Sequence, residues 1–411
     1  MSNKHLFLNK VTEQVKSKEA KQSIKLEMEH HIQLAKKGWI RKGLTEKEAE
    51  EKAINEMGSP IQLGRELSEI YRPIIDWVIV ALTVSLLMIG ILPTLSSPLL
   101  FIAQKLFMIL LGITIVIGFM YVDYRKFADF GYLFYLTGSL ILITVIFFNN
   151  ITINGMNYIK IGPIIIKGIM AIPFFLLAWA SFFSKKEFRY VSFLCLFFFS
   201  CVLFLFGFDS ISTVFIYIFT VAVMLFWSGF SKKKVFITFG TGTILLLWML
   251  FITRGSYQLN RLMAFIFPER YAQEAGYFYL YLEKIWANLK WIGPPDMEKL
   301  TFINNTDTVF LQLTYQFGYV MAVILVLLFG TLILKMITNV KKIKNQYAKF
   351  LLIGSITLYS VQVIYNLGMC MGFLPVISLS LPFISYGVVP TVINALLIGL
   401  ILSVIRRKNF Q

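Results

Sequence analysis

Apolar residues along this chain are gathered into long runs separated by short polar segments. About 20 apolar residues in a helix, at about 1.5 Å per residue, cross the roughly 30 Å hydrocarbon core of a bilayer. We therefore predict an all-α polytopic membrane protein. Its ten predicted spans are residues 74–93, 99–122, 131–149, 163–183, 190–208, 210–229, 235–253, 308–334, 349–372 and 383–405.

Two polar segments are too long to be simple connections. In residues 1–73, Thr45 and Glu48 fit a capping box that opens a helix, which predicts a small cytosolic helical domain. The segment is similar to the helical prefix domains of some bacterial permease-like proteins, which implies a regulatory or protein-binding role. A solvated helical hairpin without a ligand fits equally well. Residues 254–307 mix charges with aromatic residues and predict a long outer loop, partly helical at the headgroup level; a disordered connector is the alternative.

The positive charges between the spans all fall on one side of the predicted membrane. If the amino terminus is cytoplasmic, the inner loops hold the clusters at 125–126, 185–189, 232–234, 335–349 and 406–408. This is the distribution that the positive-inside rule requires. The polar, charged start of the chain does not predict a signal peptide. We therefore expect both termini in the cytoplasm of a bacterium.

Composition excludes several classes of protein. The chain is 57% hydrophobic and 16% aromatic, which does not fit an ordinary soluble domain. Its net charge of +17 lies mainly in the short loops of the membrane part, which does not predict nucleic-acid binding. The three histidines all precede residue 32, and the three cysteines lie in or beside apolar spans. Neither a zinc site, a disulfide framework nor a histidine-based triad is expected in the membrane part.

Four stretches carry a resemblance to a known family. LPFISYG at 381–387 follows a Leu374-Pro375 step, NTDTVFLQLTYQFG occupies 305–318, YQLNRLMAFIFPERYAQEAGYFYL occupies 257–280, and NGMNYIKIGP occupies 154–163. Together they resemble the motifs of the SEDS family (shape, elongation, division and sporulation), the FtsW/RodA/SpoVE proteins. Asn305, Tyr315 and Gln316 replace the family's usual His and Glu pair, and its Gln-Pro-Ser-Glu motif is lost at 167–170. The resemblance implies a ten-helix membrane fold for residues 74–408.

Asp307 is the principal candidate for catalysis. It lies where the long outer loop meets the eighth span, a depth at which a carboxylate can meet a lipid-linked substrate and accept a proton from a sugar hydroxyl. The alternative is that Thr306 or Asp307 only caps the helix that follows. By the resemblance, Asp307 matches the aspartate to which the family's catalysis is ascribed.

Basic and aromatic residues of the outer loop are candidates for binding substrate. Arg261 and Tyr277 are in register with the family's motif, and an arginine fork suits a diphosphate. Lys284 and Lys290 could assist, although lysines resting on lipid headgroups are the plainer interpretation.

Three further candidates lie at breaks between helices. Ser385 and Tyr386 belong to a Pro- and Gly-broken stretch, and broken backbone at membrane depth lines a cavity or is buried in protein. Both could face a substrate path, or serve helix packing. Asp209 is what remains of a family motif after the fifth span, and a cap on the sixth helix explains it better than a role in the site does.

The resemblance implies a peptidoglycan glycosyltransferase that polymerises lipid II at the outer face of the cytoplasmic membrane. It implies a class B penicillin-binding protein as partner. No cofactor is assigned, and a divalent cation, Mg²⁺ or Mn²⁺, is an option. Two other classes stay open: a catalytically weak paralogue that regulates or scaffolds wall synthesis, and a transporter (flippase) of lipid-linked precursors.

Overall fold

The computed structural model describes residues 3–15, 18–95, 98–153, 156–161, 164–206, 211–296 and 306–410. Its chain divides into two compact units. One comprises Met1–Asp76 with Ile405–Gln411, and the other comprises Trp77–Val404.

The first unit contains four helices around a small apolar core. They are α1 (Asn3–Glu13), α2 (Lys18–Arg41), α3 (Glu46–Glu56) and α4 (Pro60–Ile70). Val11, Ile24 and Ala53 in this core are fully buried. The predicted capping box is confirmed, since the Thr45 amide and hydroxyl both donate to the Glu48 carboxylate, at 3.0 and 2.6 Å, just before α3.

The second unit is helical and apolar, and each of the ten predicted spans overlaps a helix of the structure. Its helices are α5 (Trp77–Ile89), α6 (Leu99–Tyr121), α7 (Gly131–Phe148), α8 (Ile172–Ser184), α9 (Tyr190–Phe206), α10 (Ile211–Phe226), α11 (Lys232–Ile266), α12 (Tyr277–Asn288), α13 (Val309–Phe317), α14 (Tyr319–Val340), α15 (Gln346–Cys370) and α16 (Val388–Arg406). Six of the described helical segments are long and apolar enough to cross a membrane alone, and three shorter apolar helices accompany them. The protein is therefore a multi-pass membrane protein with an all-α fold.

The predicted span at 163–183 begins later than expected. Residues before it form a small antiparallel sheet in the order β1 (Ile151–Ile153), β2 (Met156–Ile161) and β3 (Ile164–Ile166). The run of β-branched isoleucines at 164–166 suits a strand as well as a helix, so periodicity alone does not separate the two. The helix proper starts at Ile172, after a 3₁₀ turn at Gly168–Ala171.

The predicted long loop at 254–307 is shorter at its start, because α11 continues to Ile266. The prediction ended the helix at the first charged residue, Arg254, but charged residues are good helix formers where a helix leaves the apolar core. Arg261 consequently lies on a helix and not in a loop.

The predicted span at 308–334 is broken at Gly318. Its φ of +87° is in the left-handed region, and a Cβ there would lie 2.5 Å from the Trp291 carbonyl oxygen. The amides of Tyr319 and Val320 donate to the carbonyls of Lys290 and Trp291, at 3.0 and 3.2 Å. The outer loop is thus hydrogen-bonded to the break between α13 and α14, which only glycine permits.

Helices α15 and α16 form the centre of the membrane unit. In each, 72% of the apolar window is buried, against 22–39% in α5, α6, α7 and α14. The non-helical segment 371–387 joins these two central helices. It therefore enters a position surrounded by protein, where irregular backbone can be tolerated.

Candidate functional site

A cavity of about 590 Å³ lies in the membrane unit beside the 371–387 segment. Its wall is mostly apolar, with polar groups contributed by five parts of the chain. These are the sheet and the turn after it, the start of α10, the turn before α13, Gln362 of α15, and the stretch from Ser378 to Pro390. A largely apolar cavity with a few convergent polar groups is the usual form of a ligand site.

Asp307 lines this cavity from a 3₁₀ turn, Thr306–Thr308. The Ser378 hydroxyl donates to Asp307 Oδ2 at 2.8 Å, and the Thr306 hydroxyl donates to Oδ1 at 3.3 Å. The carboxylate is thus held from both sides with its face toward the cavity.

The backbone on either side of the cavity is joined through Asn366 of α15. Its buried amide donates to the carbonyl of Asp307 at 2.8 Å and to the carbonyl of Leu379 at 2.5 Å. One side chain thereby fixes the distance between the aspartate and the 371–387 segment.

The environment raises the pKa of Asp307. Burial away from water disfavours the charged carboxylate, and this effect exceeds the opposing effects of the Ser378 and Thr306 hydrogen bonds and the Lys167 charge. A raised pKa makes a carboxylate a stronger base near neutral pH than an exposed aspartate.

Lys167 supplies positive charge at the cavity wall. It lies between β3 and the turn before α8, lines the cavity, and has its ammonium 5.4 Å from the centre of the Tyr158 ring. Its charge acts on Asp307 across the cavity. A lysine and a carboxylate in one cavity suit a substrate that has both an anionic group and a hydroxyl to deprotonate.

The 371–387 segment contributes Tyr386 to the cavity but not Ser385. Tyr386 and Gly387 line the wall. Ser385 is only 2% exposed, and its hydroxyl accepts a hydrogen bond from the Leu381 amide at 2.7 Å. Ser385 thus lies behind the wall and shapes the turn that presents Tyr386.

The predicted binding residues of the outer loop lie outside this cavity lining. Tyr277 is 48% exposed and stacks on Tyr281. Lys284 is exposed on α12, and Lys290 pairs with Asp296 at 2.6 Å. Asp209 lies outside the described residues.

Arg261 acts electrostatically on Tyr279, which is hydrogen-bonded to the 371–387 segment. The Tyr279 hydroxyl accepts a hydrogen bond from the Val376 amide at 2.9 Å. The charge of Arg261 lowers the pKa of Tyr279, although burial dominates and raises it overall. Arg261 thus lies near the outer edge of the segment.

Sequence reasoning missed Ser378, Lys167 and Gln362 as parts of the site. Lys167 had a detectable signal, since it is a lone cation directly after three isoleucines. Ser378 and Gln362 had none, because a serine in an apolar loop and a glutamine in an apolar helix are ordinary packing residues. Only the fold brings them to Asp307.

The cavity offers few ligands for a divalent ion. Asp307 is the one carboxylate among the described residues of its lining, and no group of three His, Cys, Asp or Glu side chains occurs in the described part of the chain. Mg²⁺ is commonly held by one or two carboxylates together with substrate phosphates. The residues therefore fit an ion only if the substrate supplies most of its ligands, with Asp307 and the Ser378 and Thr306 hydroxyls as the protein's share.

Several known proteins are similar to this chain in sequence, and several solved structures are similar to it in fold. "Probable peptidoglycan glycosyltransferase FtsW" of Idiomarina loihiensis is 27% identical over 285 residues, which cover 65% of this chain and 68% of the relative. "Stage V sporulation protein E" of Bacillus subtilis is 30% identical over 105 residues, which cover 26% of this chain and 29% of the relative.

Among solved structures, a chain from work on the "structural coordination of polymerization and crosslinking by a peptidoglycan synthase complex" matches with a TM-score of 0.69 at 21% identity, over 81% of this chain and 98% of that one. Thermus thermophilus "rod shape determining protein RodA" matches with a TM-score of 0.61 at 20% identity, over 82% and 98%.

The family model is that of the FtsW/RodA/SpoVE cell cycle proteins, and it matches residues 73–288 and 290–410. These two segments leave out residues 1–72, 289 and 411. The chain therefore belongs to the FtsW/RodA/SpoVE family of cell cycle proteins.

Proposed function

We propose that this protein is a peptidoglycan glycosyltransferase that polymerises lipid II. The observation that carries the proposal is the partly buried Asp307 carboxylate, hydrogen-bonded by Ser378 and Thr306 and open to a cavity in the membrane unit. The names of the FtsW relatives support the same activity.

In this proposal Asp307 is the general base. Its carboxylate accepts the proton of the acceptor sugar hydroxyl while the hydroxyl oxygen attacks the anomeric carbon of the donor. The bond from that carbon to the diphosphate oxygen breaks, so the configuration at the carbon inverts and the lipid diphosphate leaves. The raised pKa of Asp307 suits this role because a base is most effective when its pKa approaches the working pH.

Lys167 is positioned to bind the anionic group of the substrate. It lines the same cavity as Asp307, so its ammonium can offset the charge that develops on the leaving diphosphate. Arg261, Lys284, Lys290 and Tyr277 remain predicted contacts with parts of the substrate outside the cavity, and a divalent ion brought by the diphosphate would share the charge.

The remaining parts of the proposal concern orientation and partner. Asp307 would lie near the outer face of the cytoplasmic membrane, with both termini in the cytoplasm, as the distribution of lysines and arginines predicts. A class B penicillin-binding protein is the proposed partner. The structural likeness to a chain of a peptidoglycan synthase complex supports an assembly of this kind.

Polymerisation of lipid II by the purified protein, with and without candidate penicillin-binding partners, tests the proposal. We expect Asp307→Asn to lower the rate by about 100- to 10,000-fold, as loss of a general base does. Asp129→Asn is the matched control, because Asp129 is an exposed carboxylate outside the cavity lining. Lys167→Gln should lower kcat/KM about tenfold, whereas Lys160→Gln, in the exposed part of β2, should not.

Two outcomes would contradict the proposal. Polymer formed equally by wild type and Asp307→Asn would leave Asp307 as a structural residue of the turn. Well-folded wild type that makes no polymer with any partner would favour the regulatory or transport functions.

A further inference from the structure

Lys105 is a buried lysine of α6 for which the proposed reaction has no use. Only 1% of its surface is exposed. Its Nζ donates to three successive carbonyl oxygens, those of Phe383 at 3.1 Å, Ile384 at 2.9 Å and Ser385 at 3.1 Å. These carbonyls belong to the irregular segment that leads into α16.

The geometry is that of a charged ammonium in a shell of carbonyl dipoles. An ammonium has three N–H donors, and all three have an acceptor here. A neutral amine would have two donors and would turn its lone pair toward one of the carbonyls, which is unfavourable. A cation buried without partners is costly in a membrane protein, and the three carbonyls offset that cost.

The three carbonyl oxygens in turn need the ammonium as their hydrogen-bond donor. Phe383 has a φ of +66°, which is uncommon for a residue other than glycine. This conformation breaks the helical pattern. Among the loop and cap hydrogen bonds of the described residues, no backbone amide donates to these three carbonyls, and such groups need another partner in a membrane protein. Unwound backbone of this kind coordinates monovalent cations in transporters. In this protein the cation is covalently attached to α6.

Gly90 shows how closely the ammonium is enclosed. A Cβ at Gly90 would lie 2.9 Å from Lys105 Cε, from Lys105 Nζ and from the Phe383 carbonyl oxygen. Gly90, which directly follows α5, therefore lies against both the ammonium and the Phe383 carbonyl, and any side chain at position 90 would displace the lysine or the segment.

The residues held by Lys105 continue directly into the cavity wall. Tyr386 and Gly387 follow the three carbonyls and line the cavity, and the Lys105 ammonium lies 5.4 Å from the centre of the Tyr386 ring. Lys105 thus acts on the cavity from behind its wall, without lining it.

We propose that the Phe383–Ser385 carbonyls form a monovalent cation site, that the Lys105 ammonium is its permanent occupant, and that Lys105 is thereby a positioning residue for Tyr386 and Gly387. The effect of Lys105 on turnover rests on the proposed function, whereas its effect on the order of residues 381–387 does not.

Chemical rescue of the full-length protein tests this inference. Lys105→Ala removes the ammonium and leaves space for a small cation. We expect amide exchange in residues 383–387 to become about tenfold faster, and the unfolding midpoint to fall. Ethylammonium should restore both, and ethanol at the same concentration should not. Lys105→Met fills the space without a charge, so it should show the same loss without rescue. Lys126→Ala, an exposed lysine beyond the other end of α6, is the matched control and should behave as wild type.

Turnover of lipid II gives a second readout. Lys105→Ala should have a lower kcat than the wild type, and ethylammonium should restore it. Asp307→Asn should lower the rate by the same factor in the rescued variant as in the wild type. A wild type that makes no polymer would contradict the proposed function but leave the exchange experiment decisive for Lys105.

The inference is overturned if Lys105→Met shows wild-type exchange, or if ethanol rescues Lys105→Ala as well as ethylammonium does. Should Lys105→Ala not yield folded protein, Lys105→Met decides the matter, because it fills the space of the lysine and removes only its charge. Faster exchange confined to residues 383–387 would support the inference, and unchanged exchange there would overturn it.

Discussion

At the scale of single residues, the chemistry of this protein depends on how few polar side chains the cavity contains. Asp307 has a hydroxyl on each carboxylate oxygen and one lysine across the cavity. Each of these neighbours stabilises the carboxylate, and burial opposes them all. Removal of any one neighbour therefore raises the pKa of Asp307 further.

The Ser378 hydroxyl provides a test of this balance. Ser378→Ala removes a hydrogen bond that the charged carboxylate accepts more strongly than the neutral acid does, so the pKa of Asp307 should rise. The base is active as the carboxylate, hence the rate should fall as pH decreases through this pKa, and the fall should begin at a higher pH in the variant. The pH dependence of kcat/KM for lipid II polymerisation measures the shift.

The hydroxyl of Ser184 offers a control for that experiment, since it donates to the Ser181 carbonyl at 2.7 Å and lies outside the described cavity lining. Ser184→Ala should leave the acidic limb where the wild type has it. An acidic limb that moves to lower pH in Ser378→Ala would contradict the assigned role of the hydrogen bond.

At the scale of elements, the site is assembled where helices are interrupted. Four interruptions divide apolar runs that the sequence presents as spans or connections. They are the turn before α13, the break between α13 and α14, the sheet before α8 and the segment before α16. Irregular backbone exposes amides and carbonyls, which Asn366 and Lys105 pair in this structure. The interruptions are thus the places where polar groups can enter the membrane unit.

The break at Gly318 should not tolerate a side chain. Gly318→Ala places a Cβ 2.5 Å from the Trp291 carbonyl oxygen and forces a φ of +87° on alanine. We expect it to cost about 1–3 kcal/mol of stability, seen as a lower thermal unfolding midpoint in detergent.

Gly330→Ala is the matched control for this prediction. Gly330 lies within α14, and nothing lies within 4 Å of the position its Cβ would take. Alanine there should be neutral or slightly stabilising, since it is the better helix former. Equal unfolding midpoints for the two variants would show that the contact between the outer loop and the break at Gly318 does not stabilise the protein.

At the scale of the whole molecule, the protein combines a small helical unit with a membrane unit, and each has its own core. The apolar core of the first unit is built around Val11 and Ile24, and α15 and α16 are the most buried spans of the second. A regulatory or protein-binding role for the first unit is a proposal that rests on its similarity to helical prefix domains.

The orientation of the membrane unit can be tested by labelling. In a variant whose three native cysteines are replaced by serine, Asp296→Cys should react with a membrane-impermeant thiol reagent added to intact cells. Lys126→Cys should react only after the membrane is opened. Both positions are exposed in the structure, so a difference reports the side of the membrane and not burial. The opposite pattern would place Asp307 toward the cytoplasm and exclude polymerisation at the outer face.

The sequence by itself determined the class of fold, the approximate positions of the spans and the family. Long apolar runs, grouped cations and the LPFISYG motif are local signals, and a bilayer acts on local hydrophobicity. Asp307 is predicted as a site residue for the same reason, because a carboxylate directly before an apolar run is easy to recognise.

Only the tertiary structure decided which residues share a site with Asp307. Ser378 lies 71 positions away, and Lys105 meets carbonyls 278 to 280 positions along the chain. For Ser385 the sequence left a substrate path and helix packing open, and in the structure its hydroxyl supports the turn behind Tyr386. Arg261 lies on a helix and not in a loop. Such pairings follow from how helices pack around α15 and α16, since a hydrogen bond depends on the distance between two groups in space and not on the residues beside them in the chain.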